Sequence, residues 1–270
     1  MCYNTCGDEM DRSNIEKIAR TPEDRMLLAK LWDKISAGMR RNIPANTSFL
    51  SPREQEMARY LFGEEPGLQF FGGYDDAERK MLVYLPDYLD EESLYEEDSP
   101  MVCLRASFFD GDNLTHRDFL GALMGAGIAR ETVGDICVGK GYCDFFVTEE
   151  IAPYVEQSFL SAGRTRVHMS KIPLLEANIP QAEIKEIKDT VASLRLDSVI
   201  SSGFRISRSL AAQYISAGKA AIDGLPCEKP DKTVSESMKI SVRGLGKIKL
   251  AAINGQTKKD RISITIHRYI

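Results

Sequence analysis

Arg195, Arg205 and Arg208 stand close together near the end of the 270-residue chain, each at or near the start of a short predicted helix. A guanidinium is a planar fork of donors that matches the oxygens of a phosphate. A helix N-terminus adds free N–H groups and a positive dipole end. Ser207 opens the second of these helices, Lys219 follows its exit, and Arg243 and Lys247 flank a tight turn at Gly244 and Gly246. Such a pattern suits the binding of a polyanion. The charge distribution agrees: residues 195–270 carry 14 Lys+Arg against 6 Asp+Glu, a net of +8, whereas the whole chain stands at −5. A basic segment on an acidic chain reads as a polyanion-binding module joined to something else.

The other reactive side chains do not assemble into a catalytic pattern. Cys2, Cys6, Cys103, Cys137, Cys143 and Cys227 include no C-x-x-C pair, and the three histidines are far apart in sequence. Neither a structural zinc site nor a Ser-His-Asp or Cys-His pairing is expected, and no cofactor is called for. The carboxylates crowded between Asp87 and Asp98 lack the apolar surroundings that would split their pKa values, so they read as a solvated acidic loop. Gly121, Gly125 and Gly127 fit no phosphate-loop pattern and read as the end of a helix. Lys140-Gly141-Tyr142-Cys143-Asp144-Phe145-Phe146-Val147 matches the first three positions of the RNA-recognition strand motif, but Asp144 falls where an aromatic would stack a base. Tyr142 and Phe146 share its face and are expected to pack under the preceding hairpin. No run of about 18 apolar residues is present, which excludes a membrane-spanning helix. The first residues lack the basic-then-apolar pattern of a secretory signal, so a cytoplasmic location with free thiols is expected.

The elements that must position these residues are legible from caps and periodicity. Thr21-Pro22-Glu23-Asp24 starts a helix whose apolar stripe is Leu28, Leu31, Ile35 and Met39, and Ser51-Pro52-Arg53-Glu54 is a capping box for a helix to about Leu61. Leu68–Phe71 and Lys80–Leu85 read as a close pair of strands. From Met101 the order is β-α-β-β-α-β: strand 101–107, helix from Thr115 to about Gly125, strands 134–139 and 142–147, a helix from Thr148 to Ser161, and a strand over 164–172. That is the split unit of ferredoxin-like and RNA-recognition folds. A short charged helix is expected over 181–188. Two helices follow, one ending at Gly203 and one at Gly218, and then strands at about 219–223, 239–243, 247–253 and 261–267. The fold class is therefore α+β, with an N-terminal helical region (1–66), a central RNA-recognition-like domain (67–180) and a small C-terminal α+β domain (190–270).

The run S-R-S-L-A-A-Q-Y-I-S-A-G-K-A-A-I-D-G, Ser207 to Gly224, with S-V-R-G-L-G, Ser241 to Gly246, resembles the RNA-binding domain first known from ribosomal protein S-four (the S4 domain). It departs at Asp223, where Asn is usual, and at Glu236-Ser237-Met238, which replaces a Gly-Asp step. Further upstream, Phe49-Leu50-Ser51-Pro52-Arg53-Glu54, Gly73-Tyr74 with Glu78-Arg79, and the stretch His116 to Ile136 resemble the YlmH family. The resemblance implies a bacterial RNA-binding protein associated with the large ribosomal subunit, in rescue of stalled particles bearing peptidyl-tRNA. It maps the RNA face onto Arg195, Arg205, Ser207, Arg208, Ser209, Gln213, Lys219, Arg243 and Lys247.

Two classes of function fit such a chain. One is a non-catalytic factor that binds ribosomal RNA of the large subunit and tRNA, with no small-molecule substrate and no membrane partner. The other is an RNA-modifying enzyme, since pseudouridine synthases carry S4 domains and use an Arg-Leu-Asp motif that Arg195-Leu196-Asp197 matches. That triplet also commonly opens the S4 domain itself, and only 73 residues follow Asp197, too few for a separate catalytic domain. The binding factor is the expected function.

Overall fold

The computed structural model describes residues 12–96, 99–181, 183–257 and 260–270; Cys2, Cys6, Glu97 and Asp98 lie outside the described residues. The chain divides into two compact units, Met1–Pro180 and Gln181–Ile270.

The first unit opens with α1 (Ile15–Ile18), α2 (Pro22–Arg41), β1 (Ala45–Asn46), α3 (Pro52–Phe62), β2 (Leu68–Phe71) and β3 (Met81–Tyr84). Thr21 accepts the Asp24 N–H at 3.2 Å to cap α2, and Ser51 and Glu54 form the full capping box of α3. Leu28, Leu31 and Ile35 of α2 pack on Met57, Leu61 and Phe62 of α3. The strands form an antiparallel sheet in the order β1-β3-β2.

The second half of this unit runs β4 (Met101–Ser107), α4 (His116–Gly125), β5 (Val133–Val138), β6 (Tyr142–Thr148), α5 (Ala152–Ser158), β7 (Ser161–Ala162), β8 (Thr165–Arg166) and β9 (His168–Ile172). Its antiparallel sheet has the order β5-β6-β4-β9, with the edges supplied by the second and fourth strands of the β-α-β-β-α-β unit. Phe119, Leu123 and Val155 from the helices cover one face, against Leu104, Phe145 and Val147. Phe49, Phe71, Met81 and Leu174 cover the other, against Cys103, Cys137 and Phe146. The helix expected from Thr148 to Ser161 is shorter. A 3-10 turn at Glu149–Ile151 precedes α5, and the Thr148 hydroxyl is buried without a partner instead of capping. After Ser158 the chain folds back through Gly163 as the β7–β8 pair.

Both faces of this sheet being covered explains β6. Phe146 is fully buried, with its ring 5.7 Å from that of Tyr74 in the preceding hairpin. Gly73 (φ +85°) allows that approach, because a Cβ there would lie 2.5 Å from the Phe146 ring. Asp144 is also fully buried. It accepts from the Arg105 guanidinium at 2.7 and 2.6 Å and from the Asn178 N–H at 2.7 Å. Phe146 and Asp144 of the segment that looks like an RNA-recognition strand are thus core, whereas Tyr142, expected under the hairpin with Phe146, is half-buried with the Arg105 guanidinium 5.5 Å from its ring.

The second unit contains β10 (Ile184–Val191), α6 (Leu196–Phe204), α7 (Arg208–Ser216), β11 (Ala220–Ile222), β12 (Leu225–Pro226), β13 (Lys239–Val242), β14 (Gly246–Gln256) and β15 (Ile262–Tyr269). These strands form one sheet, β10-β15-β14-β13-β11-β12. Leu196, Val199, Ile200, Phe204, Ala211 and Ile215 pack onto Ile240, Ile248, Leu250, Ile264 and Ile266.

Two expectations are corrected here. Where a charged helix is expected over 181–188, Ile184 to Lys188 belong to a strand: β10 pairs with β15 over its whole length, from Ile184↔Tyr269 to Val191↔Ile262. Its buried residues, Ile187 and Val191, are four apart, a spacing that suits a helix face and a strand face equally. The compact unit that holds β10 starts at Gln181. Gly203 does not end α6. It lies inside the helix where a Cβ would meet Ile248 Cδ1 at 2.7 Å, so its small size serves close packing on the sheet.

Candidate nucleic-acid interface

α6 ends at Arg205, which adopts the left-handed conformation (φ 56°). This C-cap position usually takes glycine, because a Cβ is strained there. Two residues on, Ser207 caps α7 by accepting the Leu210 N–H at 3.2 Å, and Arg208 is the first helical residue. The corner thus presents two arginines three residues apart, one on each side of the break between α6 and α7. Arg195 is the N-cap residue of α6. Of the three arginines, Arg195 and Arg208 therefore do lie at helix starts, whereas Arg205 closes α6.

Asp197 fixes two of them. Its carboxylate, 8% exposed, accepts from Arg208 Nη2 at 3.0 Å on each oxygen and from Arg195 at 3.3 and 3.0 Å, and the Ser198 hydroxyl adds a bond at 3.2 Å. Burial alone would raise its pKa, but the hydrogen bonds from Arg195 and Arg208 outweigh that and hold it below the usual carboxylate range. The arginines remain accessible, with side chains 41% and 52% exposed. One buried carboxylate thus orients two guanidinium groups whose charge it only partly offsets.

The far end of α7 carries a second basic group. Lys219 lies over the Tyr214 ring at 5.2 Å. The Arg243 N–H donates to the Lys219 carbonyl at 2.8 Å, which sets the two basic residues side by side at one end of the sheet. Exposed Ser209 and Gln213 lie between, one turn apart on α7. Lys247 does not join them. It pairs in register with Ser241, while Ile240, Val242 and Ile248 face the helices, so it sits on the opposite face of the sheet together with Lys239 and Lys249.

A groove of about 260 Å3 runs beside α6, lined by Arg205 and Arg208 and also by Arg261. Arg261 is absent from the residues that the sequence singles out. The signal for it was the basic run Lys258-Lys259-Asp260-Arg261, of which Arg261 lines the groove beside α6.

Elsewhere the reactive groups are structural. Asp135 accepts from the Tyr74 hydroxyl at 2.7 Å and from the Glu78 and Arg79 N–H groups at 2.6 and 3.0 Å. Arg79 donates to the Val133 and Phe49 carbonyls at 2.9 Å each. Gly73-Tyr74, Glu78-Arg79 and Asp135 therefore tie the hairpin to β5. Burial pushes the Cys137 thiol up to about 12 and raises those of Cys103 and Cys143 further, which leaves them unreactive thiols near neutral pH. Among the described residues no cluster of His, Cys, Asp or Glu has the makings of a metal site, and no helix is long and apolar enough to cross a membrane.

Two short helices on an antiparallel sheet, with basic side chains at the helix corner and the sheet end, define the second unit as an S4 module, and the S4 domain model matches residues 194–240. A second model, "Putative RNA-binding domain in YlmH", matches residues 109–176. The chain is 38% identical over 224 residues to "Ribosome-associated protein quality control protein P2" of Bacillus subtilis (strain 168), covering 82% of this chain and 86% of that one. The chain belongs to the YlmH family. A solved structure, "Cell division protein ylmH from Streptococcus pneumoniae", is similar at 23% identity and a TM-score of 0.47, over 60% of this chain and 98% of that one.

Proposed function

We propose that this chain is a non-catalytic RNA-binding factor of the cytoplasm that acts on the large ribosomal subunit, contacting ribosomal RNA and tRNA in ribosome-associated quality control. The observation that carries the reading is the α6–α7 face. Arg195, Arg205 and Arg208 are grouped at one end, Lys219 and Arg243 at the other, and Ser207, Ser209 and Gln213 stand between as hydrogen-bonding groups. Lys247 contributes charge from the reverse side of the sheet. The Bacillus subtilis relative, a ribosome-associated quality control protein by name, supports the ribosomal setting.

The surroundings of Asp197 favour the binding reading over the enzyme one. Asp197 of the Arg-Leu-Asp triplet is buried, and both its oxygens are held by guanidinium groups. Such an arrangement supports Asp197 as a bracket for the arginines. The test is cross-linking of the full chain to RNA in cells with sequencing of what it holds, paired with mass spectrometry of nucleosides from RNA incubated with the protein. Cross-links concentrated in large-subunit ribosomal RNA and tRNA, with no modified nucleoside, are expected. A modified nucleoside, or cross-links scattered over messenger RNA, would refute the reading.

A further inference from the structure

We infer that Arg261, together with Arg205 and Arg208, forms a composite phosphate-binding groove that extends the RNA face beyond the S4 helices onto the last hairpin of the second unit. The inference rests on the reading of this unit as an RNA-binding module, and it adds a site that the helices alone do not contain. Arg261 lies outside residues 194–240, the span of the S4 match.

The groove draws its arginines from three places in the chain: Arg205 from the corner after α6, Arg208 from the start of α7, and Arg261 from the residue before β15. Arg261 is held by neutral groups. Its Nε donates to the Thr190 hydroxyl at 3.0 Å, and its Nη2 donates to the Thr190 carbonyl. The side chain is therefore aimed, while its charge stays uncompensated. The Arg205 backbone N–H donates to the Ser201 carbonyl, whereas its guanidinium has no hydrogen-bond or ion-pair partner among the described residues, and the residue occupies a strained left-handed position. Strain kept at a charged, unpartnered side chain points toward function. Arg208 shares its single carboxylate with Arg195.

Among the described residues Asp189 is the one acid lining the groove, and it already accepts the Ser202 hydroxyl at 2.6 Å. Three guanidinium groups thus face one engaged carboxylate. Like charges gathered in a concave site focus a positive potential that a bound anion relieves. The volume, about 260 Å3, is the space of roughly nine water molecules. That is ample for a phosphodiester, and the ligand assigned is a phosphate of the RNA backbone, with no reading of base identity.

The test uses the full chain and purified large-subunit ribosomal RNA, titrated at several salt concentrations. Arg261→Gln should weaken binding about fivefold to tenfold and flatten the salt dependence by about one unit of log affinity per log salt, the loss of one phosphate contact. Thr190→Val removes the hydroxyl that aims Arg261 but no charge. It separates the two roles, because a merely structural Arg261 would make both variants melt lower and bind equally poorly. The expected result is a near-normal melting temperature for Arg261→Gln with a binding loss larger than that of Thr190→Val. Inorganic phosphate, compared with chloride at equal ionic strength, should compete with RNA on the native chain and lose that advantage in Arg261→Gln. If phosphate binds the groove but Arg261→Gln leaves RNA affinity unchanged, the groove serves a free anion and the inference is wrong. If Arg208→Ala weakens RNA binding and Arg261→Gln does not, the inference fails while the RNA-binding reading stands. If the native chain does not hold the RNA at all, both fall.

Discussion

Asp197 and Arg208 form a contact whose structural and RNA-binding roles are separable by magnitude. Arg208 is half exposed, and an exposed ion pair contributes about 0–1 kcal/mol to stability. Arg208→Ala should therefore barely change the melting temperature, since Arg195 still partners Asp197. A lost charge-assisted hydrogen bond to a phosphate costs about 1–3 kcal/mol, so RNA affinity should fall about tenfold. A variant that melts well below the native chain and binds normally once folded would make Arg208 structural. Asp197→Asn should do the reverse, lowering stability by about 1–3 kcal/mol while leaving RNA affinity at or above the native level, as both guanidinium groups remain. Equal losses of affinity in the two variants would contradict this. The pH dependence follows from the same residue. The folded pKa of Asp197 lies below its ordinary value, so its stabilisation is present above about pH 4, the unfolded carboxylate range, and disappears as pH falls through the lower folded value. Acid titration of unfolding should show that loss in the native chain and not in Asp197→Asn.

The α6–α7 corner carries a conflict between stability and binding. Glycine at position 205 would relieve the left-handed strain, so Arg205→Gly should stabilise the unit by about 0.5–1 kcal/mol and weaken RNA binding. A variant that is both more stable and fully competent in binding would show that Arg205 has no role at the interface. The hairpin lock in the first unit is a purely structural counterpart. Asp135→Ala removes an acceptor from three donors and should cost about 2–4 kcal/mol, measured as a lower melting temperature of the full chain with RNA affinity unchanged. Elements of this kind were legible in the sequence wherever local chemistry decides them. The caps at Thr21 and Ser51, the strand Met101–Ser107 and the helix from His116 to Gly125 lie where the residues say. What was not legible depends on a partner far along the chain. The stretch 181–188 reads as a short charged helix, and only the pairing of β10 with β15 makes it a strand. Gly203 looks like a helix stop until Ile248 is placed against it. The same holds for the site. The helix-start arginines stand in the sequence, but Arg261 joins them only through β15, and the sheet register alone reveals that Lys247 faces away.

Across the whole molecule, the proposed interface lies in the second unit. In the first unit, Phe146 and Asp144 of the central sheet are wholly buried, so neither of these two positions can stack or contact a base. The second unit holds the net positive charge. If it covers about four to six phosphates, log affinity should fall against log salt with a slope of roughly −3 to −5. The most direct measurement is RNA affinity of the full chain and of a fragment ending at Pro180, over the same salt series. Ending at Lys188 would leave most of β10 attached without its partner strand. The full chain should bind with that steep slope, and the folded fragment should lose nearly all affinity. A folded 1–180 fragment that holds the RNA as tightly as the full chain, with the same slope, would contradict the placement of the interface on α6 and α7.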